Sequence, residues 1–225
     1  TGGRVNVPMV IRTKFATRPG GGPSHSSCNH GAFIHFPGLK IIMPTTPADA
    51  KGLLLSAIRD PNPVLCFESH YLYGVRGPVP EGEYLVPIGK AVVRRAGKDL
   101  TIVTCGGMVL KADDAADLLK QKGIDIEIVD LRSLAPLDKE TILGSVAKTK
   151  RAIVLDEGPM IGGLSAEIAA MIQENLFSDL KGPVVRIGAQ PIPPPHSPPL
   201  VDAMIPDVDQ VVDAVMRLAE GGRAV

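Results

Sequence analysis

Residues 39–68 read LKIIMPTTPADAKGLLLSAIRDPNPVLCFE. The β-branched, apolar run 39–43 is too short for a helix and predicts a buried strand. Thr46 then stands where an N-cap belongs, with Pro47 at the first helical position and Asp49 in the first turn. Ala50, Leu53, Leu54 and Ala57 supply one apolar face. The sequence Arg59-Asp60-Pro61-Asn62-Pro63 stops the helix, and the apolar run 64–68 predicts the next strand. Upstream, residues 7–12 (VPMVIR) predict another buried strand, separated from this unit by a segment expected to contain a helix. Strand, helix, strand, helix, strand within about seventy residues predicts a parallel sheet with crossover helices.

The alternation resumes further on. Residues 69–87 are rich in glycine, proline and polar side chains without a sustained period, so a domain boundary is placed there, with residues 1–76 before it, 77–87 as linker and 88–225 after it. Strands are predicted over 88–95, 100–105, 124–131, 151–156 and 184–187. Met108, Ala112, Ala115, Ala116 and Leu119 share a helix face closed by Gly123, and Asp138 caps a helix bearing Ile142 and Val146. Further helices carry Ile168, Ile172 and Leu176, then Val208, Val211, Val212 and Val215. Six prolines between Pro191 and Pro199 predict an extended surface segment. The second part is therefore expected to be a doubly wound α/β domain.

Composition narrows the partners. Of 225 residues, 44% are hydrophobic and 21% charged, and the formal net charge is zero, which argues against nucleic acid or an anionic membrane as partner. The longest apolar runs are far too short to span a bilayer, and no signal-peptide pattern opens the chain, so a cytoplasmic or mitochondrial-matrix location is expected. The start at Thr1 suggests a processed or partial polypeptide. Cys28, Cys66 and Cys105 are odd in number and widely spaced, which disfavours a disulfide framework; Cys66 and Cys105 lie in strand-like runs and are expected buried.

Reactive side chains crowd only between Arg18 and His35, RPGGGPSHSSCNHGAFIH. Gly20 to Gly22 let the backbone turn, and Pro19 and Pro23 stiffen the flanks. Ser24 reads as an N-cap, which would place His25 in a first helical turn near unpaired N–H groups. A zinc site from His25, Cys28, His30 and His35 is disfavoured, because on a helix His30 lies about 140° around from His25. Cys28 as a nucleophile would need a histidine in contact, which adjacency cannot supply. His35 fits a solvated or core role, and His30 is open. At the stop of the helix ending near Ala57, free carbonyls with Asp60 and Asn62 suit a hard cation, although a plain helix stop explains the same residues.

Taken together, VPMVIR (7–12), HFPGLKIIMPTTPADAKGLLLSAIRDPNP (35–63), LYGV (72–75), IVDLRSLAPLDKETI (128–142) and GGLSAEIAA (162–170) resemble the β subunit of thiamine-diphosphate-dependent 2-oxo acid dehydrogenases. That family includes the pyruvate, branched-chain 2-oxo acid and acetoin dehydrogenases. The resemblance implies a partial pyrimidine-binding, transketolase-like domain followed by a transketolase C-terminal domain. It implies that His25, matching the histidine of the family's H-S-Q motif, is catalytic and cofactor-facing. Decarboxylation of a 2-oxo acid with acyl transfer to a lipoyl disulfide releases a thiolate, and a histidine near neutrality can protonate it. The resemblance further implies potassium ligands at Met9, Ala57, Ile58, Asp60 and Asn62. It implies thiamine diphosphate shared with an α subunit that supplies the magnesium site, and assembly with that α subunit, a second β subunit and a lipoyl acyltransferase core. Ser27 departs from the family's usual glutamine and His30 from its frequent glutamate. The glutamate that activates the cofactor, and the GDG…NN motif, have no counterpart in this sequence, so the chain alone is expected to be inactive. A non-catalytic assembly module of the same complex is the alternative.

Overall fold

The computed structural model describes Gly2 and residues 4–220. The first sheet has the order β1-β3-β2-β7, built from β1 (Val10–Phe15), β2 (Lys40–Ile42), β3 (Val64–Ser69) and β7 (Ser133–Ala135). Strand β3 runs parallel to both β1 and β2, and its side chains are almost continuously buried, as expected of a strand covered on two faces. Between β2 and β3 lies helix α3 (Pro47–Ile58). Thr46 Oγ1 accepts the Asp49 N–H at 3.0 Å, so the predicted cap is the observed one. Leu53 and Ala57 of α3 pack on Ile42, Val64 and Cys66.

Two features of this half depart from expectation. Strand β1 is shifted from residues 7–12 to Val10–Phe15, because its ladder begins where Val10 meets Val64 and Pro8 has no N–H to donate, and as the edge strand it is largely exposed up to Lys14 rather than buried. The histidine segment forms two four-residue helical turns, α1 (Gly22–His25) and α2 (His30–Phe33), rather than one helix capped by Ser24. Gly22 holds φ at 58°, Pro23 occupies the first turn, and Ser26 ends α1 by leaving helical geometry. His25 is consequently the last residue of α1, at the opposite end from the one its position after Ser24 predicts.

After a single turn of 3-10 helix (His70–Leu72), residues 77–87 cross α3 without regular structure. Val86 donates its N–H to the Gly52 carbonyl and accepts from Ser56 Oγ at 2.6 Å. A Cβ at Gly52 would lie 2.5 Å from Val86 Cγ2, so this crossing depends on glycine there.

The second sheet has the order β4-β6-β5-β8-β9, from β4 (Val92–Arg95), β5 (Leu100–Thr104), β6 (Ile126–Asp130), β8 (Ala152–Pro159) and β9 (Val185–Ala189). All but β4 are mutually parallel, and β4 is antiparallel to β6. Helices α4 (Met108–Gln121) and α8 (Val208–Ala219) cover one face; α5 (Lys139–Thr149) and α6 (Leu164–Leu176) cover the other. This is the doubly wound arrangement expected. The core on the α5/α6 side continues into the first sheet through Phe15, Ile41, Met43, Leu65 and Phe67.

Strand β7 was not anticipated. It lies beyond the predicted linker yet pairs antiparallel with β2, Ile41 opposite Ala135 and Ile42 opposite Ser133. The proline-rich segment also differs from expectation at its end. It runs without regular structure as far as Ser197, but Pro198 and Pro199 then open helix α7 (Pro198–Met204), where a missing N–H costs nothing. Cys28, Cys66 and Cys105 are all free, the last two buried as expected.

Candidate functional site

In a doubly wound sheet the ligand crevice opens at the carboxyl ends of strands where the winding direction reverses. Here that point lies between β5 and β8, and it is occupied by the first half of the chain. A Cβ at Gly106, just past β5, would meet Met43 Sδ and Phe15, and one at Gly107 would meet Ser69 and Tyr71. From the end of β8, Glu157 reaches the loop that follows β1.

That loop, residues 16–29, carries His25. Its start is strained: Ala16 is buried at φ 125°, a region that disfavours any Cβ. Gly20 donates its N–H to the His196 carbonyl at 2.9 Å, and a Cβ at Gly22 would collide with the His196 ring, so the proline-rich segment lies on the glycine turn. Ser26 Oγ closes the loop by bonding Arg18 N at 3.3 Å and Arg18 O at 3.2 Å.

His25 is exposed in a polar cleft of about 320 Å³ lined by Thr13, Lys14, Arg18, Ser24, Ser27 and Asn29. Among the described residues no acid lines it, and Arg18 Nε is buried with no hydrogen-bond partner among them. His70 lies beside this cluster; burial, then the charges of Lys14 and Arg18, push its pKa down. The arrangement suits an anion facing an imidazole.

His30 is placed quite differently. It is 1% exposed, lies edge-on to Phe15 and Phe67, and its Nε2 faces Asp156 Oδ1 and Oδ2 at 3.0 and 3.1 Å. Burial acts to lower the His30 pKa, but the charge and hydrogen bond of Asp156 outweigh it and the net direction is up. Asp156 moves down: burial opposes its ionisation, and the His30 charge and hydrogen bond more than compensate. Both shifts favour the charged forms, an imidazolium facing a carboxylate.

Cys28 donates to Glu157 Oε1 at 3.4 Å and lies 3.7 Å from Thr17 Oγ1. Burial, then the Glu157 charge, pushes the thiol well above its ordinary pKa, so it is no thiolate nucleophile. His35 is exposed and lies edge-on to Phe36. Of the four residues of the disfavoured zinc site, His25 and His35 are exposed while Cys28 and His30 bond Glu157 and Asp156, and among the described residues no group of three or more His, Cys, Asp or Glu is placed to hold a metal ion.

The residues read as potassium ligands lie before β1 and at the end of α3. Val7 donates to the Pro61 carbonyl at 3.1 Å and Val64 to the Met9 carbonyl at 2.9 Å, which sets the approach to β1 against the end of α3. The Ala57 carbonyl accepts from Asp60 N at 3.2 Å. The Asp60 carboxylate is taken by Lys40, and its Oδ1 accepts Asn62 N at 2.9 Å and Asn62 Nδ2 at 3.1 Å.

Sequence reasoning missed Thr17, Tyr71, Asp156 and Glu157. Thr17 N donates to Glu157 Oε1 at 2.6 Å, and Tyr71 OH donates to the Thr17 carbonyl. The available signal was Asp156-Glu157-Gly158 at the carboxyl end of a parallel strand, the end where such sheets place function.

This fold and site define a transketolase-type chain: a parallel pyrimidine-domain sheet joined to a doubly wound domain. Residues 1–75 match the family described as transketolase, pyrimidine binding domain, and residues 89–211 that described as transketolase, C-terminal domain. The chain is 42% identical over 222 residues to the acetoin:2,6-dichlorophenolindophenol oxidoreductase subunit beta of Cupriavidus necator, covering 99% of this chain and 66% of that one. It is 42% identical over 230 residues to the pyruvate dehydrogenase E1 component subunit beta of Porphyra purpurea, covering 100% and 68%. To the 2-oxoisovalerate dehydrogenase subunit beta of Bacillus subtilis it is 40% identical over 217 residues, covering 96% and 66%. A solved structure described as a split gene transketolase, inactive beta4 tetramer, superposes with a TM-score of 0.75 at 27% identity, covering 95% of this chain and 67% of that one. The chain belongs to the family of β subunits of the 2-oxo acid dehydrogenase first component. It spans about two thirds of the length of these curated relatives.

Proposed function

We propose that this chain provides the β side of a thiamine-diphosphate-dependent active centre that oxidatively decarboxylates a 2-oxo acid, pyruvate or a branched-chain analogue, and passes the acyl group to a lipoyl group. The observation that carries this reading is the exposed His25 imidazole in a cleft lined by Lys14 and Arg18 with no acid among its lining residues. The positive charges of Lys14 and Arg18 suit an anion, and a 2-oxo acid carboxylate supplies one. When bound, thiamine diphosphate contributes the electron sink. Lys14 and Arg18 draw the carboxylate in and orient it, and His25 gives a proton to the departing lipoyl thiolate.

In this reading the α subunit brings the magnesium and diphosphate contacts, a second β subunit completes the assembly, and a lipoyl acyltransferase core receives the product. Residues 1–76 and 88–225 act as two domains joined by 77–87. Potassium binds through carbonyls of Met9, Ala57, Ile58, Asp60 and Asn62. Neutral carbonyls favour a monovalent ion, and the engagement of the Asp60 carboxylate by Lys40 supports that choice.

The test is reconstitution with an α partner and assay of lipoyl acylation. His25→Ala is expected to lower acyl transfer about a hundredfold, the scale of a positioned general acid, while the chain's thermal unfolding stays unchanged. Transfer at the wild-type rate would remove His25 from the mechanism.

A further inference from the structure

The His25 loop is gripped on both sides by two consecutive carboxylates from the end of β8. Upstream of His25, Glu157 Oε1 accepts the Thr17 N–H at 2.6 Å; downstream, the same oxygen accepts from Cys28 Sγ at 3.4 Å. Asp156 engages His30 Nε2 and also accepts the Gly158 N–H at 3.1 Å. His30, Asp156 and Glu157 are at most 2% exposed. Tyr71 OH donates to the Thr17 carbonyl, so both backbone polar groups of Thr17 are held.

Such an arrangement costs stability. Two adjacent carboxylates are taken out of water, and Glu157 Oε2 has no hydrogen-bond partner. Apolar residues of similar volume often serve a core as well or better. What carboxylates supply here is direction: one oxygen fixes a backbone amide on one side of the imidazole and a side-chain thiol on the other.

We propose that Asp156 and Glu157 form a clasp that sets the position of the His25 loop, with Glu157 as the positioning residue and the His30–Asp156 pair as the lock holding β8 to it. The proposal rests on the role given to His25 above. It makes the C-terminal domain a working part of the centre rather than an assembly platform alone.

Hydrogen exchange on the 225-residue chain tests the clasp independently of activity. In Glu157→Ala, the amides of Thr17, Arg18, Ser26 and Cys28 are expected to exchange about ten to a hundred times faster, the loss that follows when a buried donor is left unpaired. Amides of β5 and β6 keep their wild-type rates. Glu157→Gln, whose amide oxygen can still accept from Thr17, restores slow exchange. Equal acceleration throughout both sheets, or no acceleration in the loop, overturns the clasp. Should the alanine variant not fold, the Thr17 amide proton resonance of the wild type serves instead: it is expected to move with Glu157 ionisation and to stop moving in Glu157→Gln, and a Thr17 resonance indifferent to pH overturns the proposal.

With an α partner, Glu157→Ala is expected to lower kcat for acyl transfer about tenfold at unchanged KM, the signature of a misplaced catalytic group, and Glu157→Gln to recover it. A loosened loop with wild-type kcat overturns the positioning role. Normal acyl transfer by His25→Ala would instead refute the reading of His25 and leave the exchange result to decide the clasp.

Discussion

Asp130→Asn is expected to stabilise the chain by an amount that grows with pH. Asp130 ends β6, 1% exposed; Oδ1 accepts the Arg132 N–H at 3.2 Å and Oδ2 is buried without a partner. Burial first, and then the Asp49 charge, pushes this carboxyl from 3.8 up to about 7, against the partial help of Thr45 and Arg132. The unfolded chain therefore gives up the proton near pH 3.8 and the folded chain near pH 7. Ionisation is disfavoured in the fold, so stability falls as pH rises through that window. At 1.36 kcal/mol per pH unit, the penalty is roughly 2 kcal/mol at pH 5 and about 4 kcal/mol at pH 8. Asparagine keeps the acceptor for Arg132 and removes the charge. Any cost of its new N–H group is independent of pH, so the difference between the two pH values, about 2.5 kcal/mol, is the quantity to measure. Urea unfolding of both proteins at pH 5 and pH 8, at matched ionic strength, gives it directly. An equal gain at both pH values would show that burial of Asp130 imposes no charge penalty and refute the reasoning.

Ala16→Gly removes a Cβ held at φ 125° and is expected to stabilise by about 1 kcal/mol, a rise of about 2–4 °C in Tm by calorimetry; a lower Tm would mean that the packing of its methyl outweighs the strain. The His30–Asp156 pair has a defined pH window. The His30 pKa is raised above 6.5, so its contribution is full below that value and is lost as pH climbs through the folded pKa. Asp156 is lowered below 3.8, so its contribution is present above that value and lost as pH falls through the folded pKa. Glu157, Cys28 and Cys105 are the other titratable groups facing the pair. His30→Gln is expected to be most destabilising between about pH 4 and pH 6.5 and least above it; a flat profile in denaturant titrations would show that the pair is not charged in the fold.

Sequence alone determined the elements whose causes are local. Thr46 and Asp138 cap their helices because a hydroxyl or carboxylate at that position meets an orphan N–H a few residues on, and the apolar runs of β3, β5 and β8 have no alternative to burial. Tertiary structure alone decided the rest. Ser24 offers a cap that nothing uses, because Ser26 turns back to Arg18 and ends the helix at His25. Strand β7 carries no periodicity of its own in three residues and exists because β2 presents an open edge. His30 could not be read from its neighbours in the chain: its partner lies 126 residues away, and only the approach of β8 to the loop turns a lone histidine into half of a buried ion pair.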